Sequence, residues 1–285
     1  MKTSNANSEG PLGLIAGEGS FPLLVAQGAK SAGRRVVTCG LAGIASDEVR
    51  ALSDAYRAVG LMRLGQWARF LRAHGVSEAI MVGRVRKKTM YAHGPVRRYL
   101  QYLPDVRTMR LYLTRLRHDK RTHKVLEAVA DELASCGVTL IDSTAYTTEH
   151  LATAGVMGRI TPSDRQQADM EYGWELCRLI SRSDIGQAIA VQDRDVLAVE
   201  AVEGTDNMIR RVGEWSKVPG WVLIKVANAK ADMRFDVPTV GVRTVENLHA
   251  AGGRVLVLEA GRTILLEKPA VLARADALKI AVVGR

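Results

Sequence analysis

The stretch Leu12-Gly-Leu-Ile-Ala-Gly-Glu-Gly-Ser20 begins with a short apolar segment and ends in a glycine-rich turn. Its apolar part, 12–16, predicts a buried β-strand, and the residues from Pro22 to about Ala32 show the spacing of a helix. Ser20 is expected to cap that helix, and Pro22 suits its first turn. A strand, a glycine-rich turn and a helix in this order are typical of an α/β unit built on a parallel sheet.

Alternating strand and helix patterns continue through the first half of the chain. Strands are predicted at 35–39, 78–82 and 138–141, and helices at 65–74 and 122–136. Such alternation favours a parallel sheet with helices on both of its faces. We therefore predict an N-terminal α/β domain over residues 12–150, preceded by a disordered segment at 1–11.

A second unit follows a linker that we predict at 151–162. Ser163 and Gln166 have the spacing of a capped helix start, and this helix is expected to run to about Ser181. Beyond it, strands are predicted at 188–191, 196–202, 221–227, 254–258, 264–266 and 280–283, with one helix at 244–251. The sequence therefore predicts a C-terminal α/β domain over residues 163–285.

The cysteine content and the hydropathy pattern argue against several classes of protein. The 285-residue chain has three cysteines, Cys39, Cys136 and Cys177, without a CxxC or CxxH spacing, so a disulfide framework or a zinc site is not expected. The polar first residues contain no apolar signal segment, and no run reaches the roughly 18 apolar residues that span a bilayer. We expect a cytoplasmic protein that at most lies on a membrane surface.

One segment carries the whole charge imbalance of the chain. The net charge is +10, and residues 84–124 contain 13 Lys or Arg but only two acids, Asp105 and Asp119. Such a segment suits an anionic partner such as phosphate, nucleic acid or anionic lipid, although a solvated basic face would look the same. Against a nucleic-acid-binding module, aromatic residues make up only 5% of the chain, and no RNP, KH or helix-turn-helix pattern is present.

Two glycine-containing turns are candidates for phosphate binding. Gly17, Gly19 and Ser20 lie between a predicted strand and a predicted helix, where backbone N–H groups can approach a phosphate. Gly83 begins the basic run 83–88 at the end of another predicted strand, at the edge where open parallel sheets bind ligands. A tight turn without a ligand, or a basic loop facing water, would leave the same pattern.

Acids and arginines cluster after the strand that ends near residue 202. Glu200, Glu203 and Asp206 could supply oxygen ligands to Mg²⁺, which takes one or two carboxylates together with phosphate oxygens. Thr205 could cap the following helix, and Arg210 could bind a phosphate. Ordinary surface acids in a strand-to-helix turn are the alternative interpretation.

Lys225 and Asp236 are the remaining candidates for the site. Lys225 lies on a predicted strand. Asp236 precedes Val-Pro, where the chain is extended, and it could bind a metal ion or orient an attacking water molecule. Asp232 and Arg234 could simply pair with each other at the surface. No HxH, HExxH or GxSxG pattern is present, so neither a histidine metal site nor a serine nucleophile is indicated.

These motifs, taken in order, resemble the I-type UDP-2,3-diacylglucosamine pyrophosphatases. The resemblance is carried by LGLIAGEG (12–19), GRV (83–85), DIGQ (184–187), VLAVEAVEGTDNMIRR (196–211), RFDVPTVG (234–241) and EAGR (259–262). The block at 196–211 is the most specific of the six. Two segments depart from the family pattern: 228–231 stands near the position where the family usually has a Lys-Pro pair and a Gln, and 117–121 replaces a Gly-Asp-Asp stretch.

The resemblance implies a Rossmann-like N-terminal domain joined by a linker to a family-specific C-terminal α/β domain, with the substrate between them. It also implies Mg²⁺-dependent hydrolysis of UDP-2,3-diacylglucosamine to UMP and 2,3-diacylglucosamine 1-phosphate (lipid X), by a homodimer at the cytoplasmic face of the inner membrane. The family's essential acid falls on Asp236.

The candidate site residues can now be stated together. The predicted metal ligands are Asp236, Glu203 and Asp206. The predicted substrate-binding residues are Gly17, Gly19, Ser20, Gly83, Gln187, Thr205, Asp206, Met208, Arg210 and Lys225. No nucleic-acid partner is expected. A basic nucleic-acid-binding module and a nucleotide-sugar-binding protein without turnover are the alternative functions.

Overall fold

The computed structural model describes residues 10–85, 103–119, 121–216, 218–228 and 232–285. The chain divides into two compact units: the first comprises Met1–Thr147 with Met233–Phe235, and the second comprises Thr148–Asp232 with Asp236–Arg285. Of the segment predicted to be disordered, 1–11, only residues 10 and 11 are described. The carbonyl oxygen of Gly10 accepts a hydrogen bond from the Arg34 side chain.

The first unit is built on a five-stranded parallel sheet. Its elements are β1 (Leu12–Ala16), α1 (Phe21–Ser31), β2 (Val36–Leu41), α2 (Asp47–Ala51), β3 (Ala55–Val59), α3 (Leu64–Ala73), β4 (Glu78–Val82), α4 (Val106–Leu111), a π-helical turn (Tyr112–Leu116), α5 (Thr122–Ser135) and β5 (Thr139–Leu140). The strand order is β3-β2-β1-β4-β5, which is the order of a doubly wound fold, and its winding reverses between β1 and β4. The predicted Rossmann-like N-terminal domain is therefore confirmed.

Burial explains which elements of this unit can be predicted from sequence. β1 and β2 are buried along their whole length, whereas only Val59 of β3 is buried. Helix α3 buries Trp67, whose indole N–H donates to the carbonyl oxygen of Gly60 over 2.8 Å. Burying a large apolar side chain of this kind contributes about 1.5–3 kcal/mol. The sequence pattern does not predict α2, β3 or α4, because they lack a continuous apolar run.

The second unit is built on a six-stranded mixed sheet. Its elements are a 3₁₀ turn (Thr148–His150), β6 (Gly155–Val156), α6 (Asp164–Arg182), β7 (Ala188–Gln192), β8 (Asp195–Val199), α7 (Thr205–Trp215), β9 (Val222–Lys225), β10 (Thr239–Val240), α8 (Val242–Ala250), β11 (Val255–Leu258), β12 (Ile264–Leu265), α9 (Lys268–Ala277) and β13 (Ala281–Gly284). The strand order is β6-β13-β11-β9-β7-β8, and β9, β11 and β13 are mutually parallel. β10 and β12 form a separate parallel pair.

Alternate residues of the six-stranded sheet enter two different hydrophobic clusters. Leu223 and Leu256 belong to the cluster that includes Met208 of α7, together with residues of α8 and α9. Val222 and Ile224 belong to the cluster that includes Trp174 and other residues of α6. Because successive side chains of a strand point to opposite faces, this division places helices on both faces of the sheet. The predicted C-terminal α/β domain is thus confirmed as a fold class.

The beginning of the second unit differs in part from the sequence prediction. In the segment predicted as a linker, 151–162, β6 pairs antiparallel with β13, and the Ala152 amide donates to the carbonyl oxygen of Thr263 over 2.8 Å. The predicted helix start is confirmed, since Ser163 and Gln166 form a reciprocal capping box at α6. Among the helices that the structure describes, none combines the length and apolarity needed to cross a bilayer.

Candidate active site

The two glycine motifs of the first unit lie side by side at the carboxyl ends of β1 and β4. The amide of Gly17 donates to the carbonyl oxygen of Val82 over 2.8 Å. Glu18 and Arg84 then exchange two backbone hydrogen bonds of 2.9 and 2.8 Å. This is the point where the strand order reverses, which is where doubly wound sheets bind their ligands.

Close backbone packing explains why glycine stands at positions 17 and 83. A Cβ atom on Gly17 would lie 2.9 Å from the carbonyl oxygen of Arg84, and one on Gly83 would lie 2.7 Å from the carbonyl carbon of Gly17. Gly83 also has a φ of +99°, which a residue with a side chain rarely adopts. Part of this motif therefore has a structural cause that needs no ligand, as the tight-turn interpretation proposed.

Ser20 is the N-cap residue of α1, as predicted, but Ser20 makes no capping hydrogen bond with its side chain. Its φ and ψ of −84° and −15° are helical, whereas a capping side chain turns back onto the helix from an extended backbone. The Ser20 carbonyl oxygen instead accepts from the amides of Leu23 and Leu24 over 3.0 and 3.1 Å. Together with Gly19, Ser20 still lies at the N-terminus of α1, beside the strand-order reversal.

Three polar residues of the second unit meet at one edge of its sheet. Lys225 ends β9, Gln187 precedes β7, and Glu200 follows β8. Backbone hydrogen bonds fix their register, because the amide of Val226 donates to the Gln187 carbonyl oxygen over 2.9 Å and that of Glu200 donates to Ala188 over 2.8 Å. The antiparallel direction of β7 brings these sequence-distant residues together.

A buried hydrogen-bonded chain joins the charged residues of this edge. The Nζ atom of Lys225 donates to Thr205 Oγ1 over 3.2 Å, and this hydroxyl donates to Glu200 Oε1 over 3.0 Å. Lys225 and Glu200 are only 7% and 6% exposed. Burial raises the pKa of the Glu200 carboxyl, and the positive charge of Lys225 acts in the opposite direction. Lys225 and Glu200 are therefore a basic and an acidic group that are both largely shielded from water.

This chain of contacts lies at the N-terminus of α7. Gly204 is the N-cap residue, with a φ of +82°, and Thr205 is the first residue of the helix. Thr205 was predicted as the cap, but its hydroxyl is used by Glu200 and Lys225 instead. Because the first N–H groups of a helix have no partner within it and carry partial positive charge, Lys225 and α7 together can bind an anion.

Two of the three acids predicted as metal ligands, Glu203 and Asp206, form ion pairs with arginines. Glu203 Oε1 accepts from Arg211 over 2.8 Å, and Asp206 Oδ2 accepts from Arg243 over 2.9 Å. Asp236 is exposed, and its amide donates to the Asp232 carbonyl oxygen over 2.9 Å. Within the described ranges, no three His, Cys, Asp or Glu side chains are grouped so that they could hold a metal ion. A cage made by protein ligands alone does not fit these residues.

Two of the predicted substrate-binding side chains are engaged elsewhere. Met208 is fully buried in the hydrophobic cluster beneath α7, which gives its side chain a packing role. Arg210 is exposed on the outer side of α7, where it donates to Asn207 Oδ1 over 3.2 Å and lies 3.9 Å from Glu214. The residues that the structure brings together are thus Gln187, Thr205 and Lys225, with Glu200 in addition.

Both halves of the chain match family models. The model described as the LpxI N-terminal domain matches residues 11–150, and the one described as the LpxI C-terminal domain matches residues 153–283. The chain belongs to the LpxI family. It is 33% identical over 282 residues to a Caulobacter vibrioides protein named UDP-2,3-diacylglucosamine pyrophosphatase LpxI, and the match covers 96% of each chain. The resemblance seen in the sequence is therefore confirmed.

The two segments that depart from the LpxI pattern are only partly described. Of 228–231, only Asn228 lies within the described residues, and its side-chain amide is 3.4 Å from Asp184 Oδ1. In 117–121, Asp119 forms an ion pair with Arg121 over 2.6 Å, and hydrogen bonds from Arg121 hold the pKa of that exposed carboxyl below its usual range. Residue 120 lies outside the described ranges.

Proposed function

We propose that the chain hydrolyses the diphosphate bond of UDP-2,3-diacylglucosamine to UMP and 2,3-diacylglucosamine 1-phosphate, a step of lipid A biosynthesis. The observation that carries this proposal is the match along 96% of both chains to a protein named as that pyrophosphatase. The anion-binding combination of Lys225 and the N-terminus of α7 supports it, because a diphosphate needs cationic groups around its oxygens.

The residues of the second unit favour direct attack by water. Water adds to one phosphorus, the bond from that phosphorus to the bridging oxygen breaks, and two phosphate monoesters leave. Lys225 and the N–H groups of α7 would neutralise the phosphoryl oxygens during this step. Asp236 would orient the water and accept its proton, or hold the metal ion. A covalent enzyme intermediate is not needed.

Mg²⁺ dependence is part of the same proposal. Asp236, on which the family's essential acid falls, is the predicted ligand that carries this proposal, and it is exposed. A single carboxylate fits this ion, because Mg²⁺ in such sites takes one or two carboxylates and completes its coordination with phosphate oxygens and water. Bound there, it would withdraw charge from the diphosphate.

Phosphorus NMR of purified protein with UDP-2,3-diacylglucosamine dispersed in detergent tests the proposal. We expect UMP and the lipid monophosphate to appear in the presence of Mg²⁺ and to be absent with a chelator. Turnover that continues with the chelator would contradict the metal requirement alone. No turnover by the folded protein would contradict hydrolysis, and a UDP-sugar-induced rise in melting temperature would then favour the binding protein without turnover.

A membrane-facing surface is the second part of the proposal. Val106, Met109 and Leu113 lie on one side of α4 and the following π-helical turn, and they are 87%, 44% and 57% exposed. Arg110 and Arg117 have the spacing that places them on the same side, and no acid occurs between residues 106 and 117. An apolar face with basic residues fits an anionic bilayer, the expected location of a diacylated substrate.

Sedimentation with phosphatidylglycerol vesicles tests this surface. We expect the protein to bind these vesicles and to dissociate as salt is raised, with little binding to phosphatidylcholine. Replacing both Met109 and Leu113 by Asp should weaken vesicle binding about tenfold or more, because two apolar contacts are lost. Leu179→Asp, at an equally exposed leucine of α6, is the matched control. Equal binding by the double variant would contradict the assignment.

The other basic residues of the segment 84–124 could add to such binding, but 86–102 and 120 lie outside the described residues. The homodimer implied by the family resemblance likewise stays a prediction, which light scattering in solution would test.

A further inference from the structure

Glu200 is a buried acid that the proposed reaction does not use. It follows β8, is 6% exposed, and has one carboxyl oxygen, Oε2, for which the structure shows no hydrogen-bond partner among the described residues. An acid in such a position lowers the stability of a protein, because its charge is removed from water without full compensation. Its presence therefore calls for a reason other than packing.

The hydrogen bonds around Thr205 supply that reason. A hydroxyl group has one proton and two lone pairs, and it rotates to suit its partners. Because Glu200 Oε1 accepts the proton over 3.0 Å, a lone pair of Thr205 Oγ1 is left to accept from the Lys225 ammonium group over 3.2 Å. Lys225 also lies 3.5 Å from the carbonyl oxygen of Thr239. The Glu200 acceptor thus fixes the donor and acceptor roles in both hydrogen bonds, from Lys225 to Thr205 and from Thr205 to Glu200.

We propose that Glu200 is a positioning residue, which orients Thr205 and through it holds Lys225 beside the N-terminus of α7 for phosphate binding. The inference rests on the proposed role of this edge in binding the diphosphate. In this role Glu200 touches no substrate and acts through its hydrogen bond with Thr205 Oγ1.

The neighbouring charges leave this role to Glu200. Glu203 is the other acid near its carboxyl group, and Glu203 binds Arg211 over 2.8 Å. Glu259 follows β11, the strand that pairs with β9. Its carboxylate accepts from the Ala227 amide over 2.8 Å and from Arg262 over 3.2 Å. Of the described acids at this edge, Glu200 is thus the one bonded to Thr205.

Two variants of Glu200 separate positioning from a purely structural role. Glu200→Gln keeps a carbonyl oxygen for the Thr205 hydroxyl, whereas Glu200→Ala removes the acceptor. We expect Glu200→Ala to weaken the binding of UDP, measured by calorimetry, by about tenfold or more, and to raise KM by more than it lowers kcat. Glu200→Gln should stay within about threefold of the wild-type protein. Glu171→Ala removes an exposed acid of α6 and is the control for the change in net charge.

The outcomes are distinguishable. UDP binding unchanged in the folded Glu200→Ala variant would overturn the proposal, and so would a Glu200→Gln variant as weak as Glu200→Ala. Wild-type protein that binds UDP but does not release UMP would contradict hydrolysis, while the comparison of variants would still decide the role of Glu200. Melting temperatures of all variants identify any that fail to fold. If Glu200→Ala does not fold, Thr205→Val takes its place, because it removes the hydroxyl that Glu200 orients.

Discussion

Replacement of Asp236 by Ala is expected to lower the rate of UMP release by roughly 10²–10⁴-fold, the usual contribution of a general base. Asp236 lies shortly before β10 in the second unit. Lys225 belongs to the same unit, and its ammonium group is 3.5 Å from the carbonyl oxygen of Thr239 in β10. Since Asp236 is exposed, the substitution should change the free energy of unfolding by no more than about 0.5 kcal/mol. The substitution is thus expected to lower activity while leaving stability almost unchanged.

The neighbouring acid Asp232 provides the matched control. Its backbone oxygen, not its carboxylate, binds the Asp236 amide, so Asp232→Ala should retain most of the activity. Asp236→Asn distinguishes the two roles left open for Asp236: an amide cannot accept the proton of water, but it can still bind Mg²⁺ weakly. Activity restored by raised Mg²⁺ would indicate a metal ligand, and activity that stays low would indicate a base. A fully active Asp236→Ala variant would remove Asp236 from the mechanism.

Local sequence pattern predicts much of the fold because burial in this protein follows it. The fully buried strands β1 and β2, the largely buried strand β4 and the capping box of α6 are all visible as apolar runs or polar spacing. β3 and β6 are not visible in this way, because β3 fully buries only Val59 and β6 has only two residues, which pair with β13 more than 100 residues later. A pairing over such a distance has no signal in the local sequence.

The same limit applies to the candidate site. The clustering of acids after β8 is visible in the sequence, but the partner of Asp206 is Arg243 on α8, and its interaction depends on how α7 and α8 pack. Likewise, Lys225 and Glu200 are joined only because β7 runs antiparallel between their strands. Residue types could therefore be predicted, whereas the arginine partners of these acids are visible only in the tertiary structure.

Lys225→Met is expected to affect both function and stability, because the ammonium group is the buried cation of the site. UDP affinity and kcat/KM should each fall by roughly a hundredfold, the effect of losing a charge-assisted contact with phosphate. The variant also leaves the buried Glu200 carboxylate without its compensating charge, which should lower the free energy of unfolding by up to about 3 kcal/mol. Calorimetric titration with UDP and urea unfolding measure the two effects.

The pH dependence of that loss of stability tests its cause. Burial raises the folded-state pKa of Glu200 above its unfolded value, and without Lys225 only the hydrogen bonds from Thr205 oppose the rise. Stability from an acid with a raised pKa is fully present below the unfolded value and is lost as pH rises through the folded value, so the deficit should be large at pH 8 and small near pH 4. The double variant Lys225→Met/Glu200→Gln should regain stability at pH 8 without regaining UDP binding. A deficit independent of pH, and unchanged in the double variant, would mean that Lys225 contributes packing rather than charge at this edge.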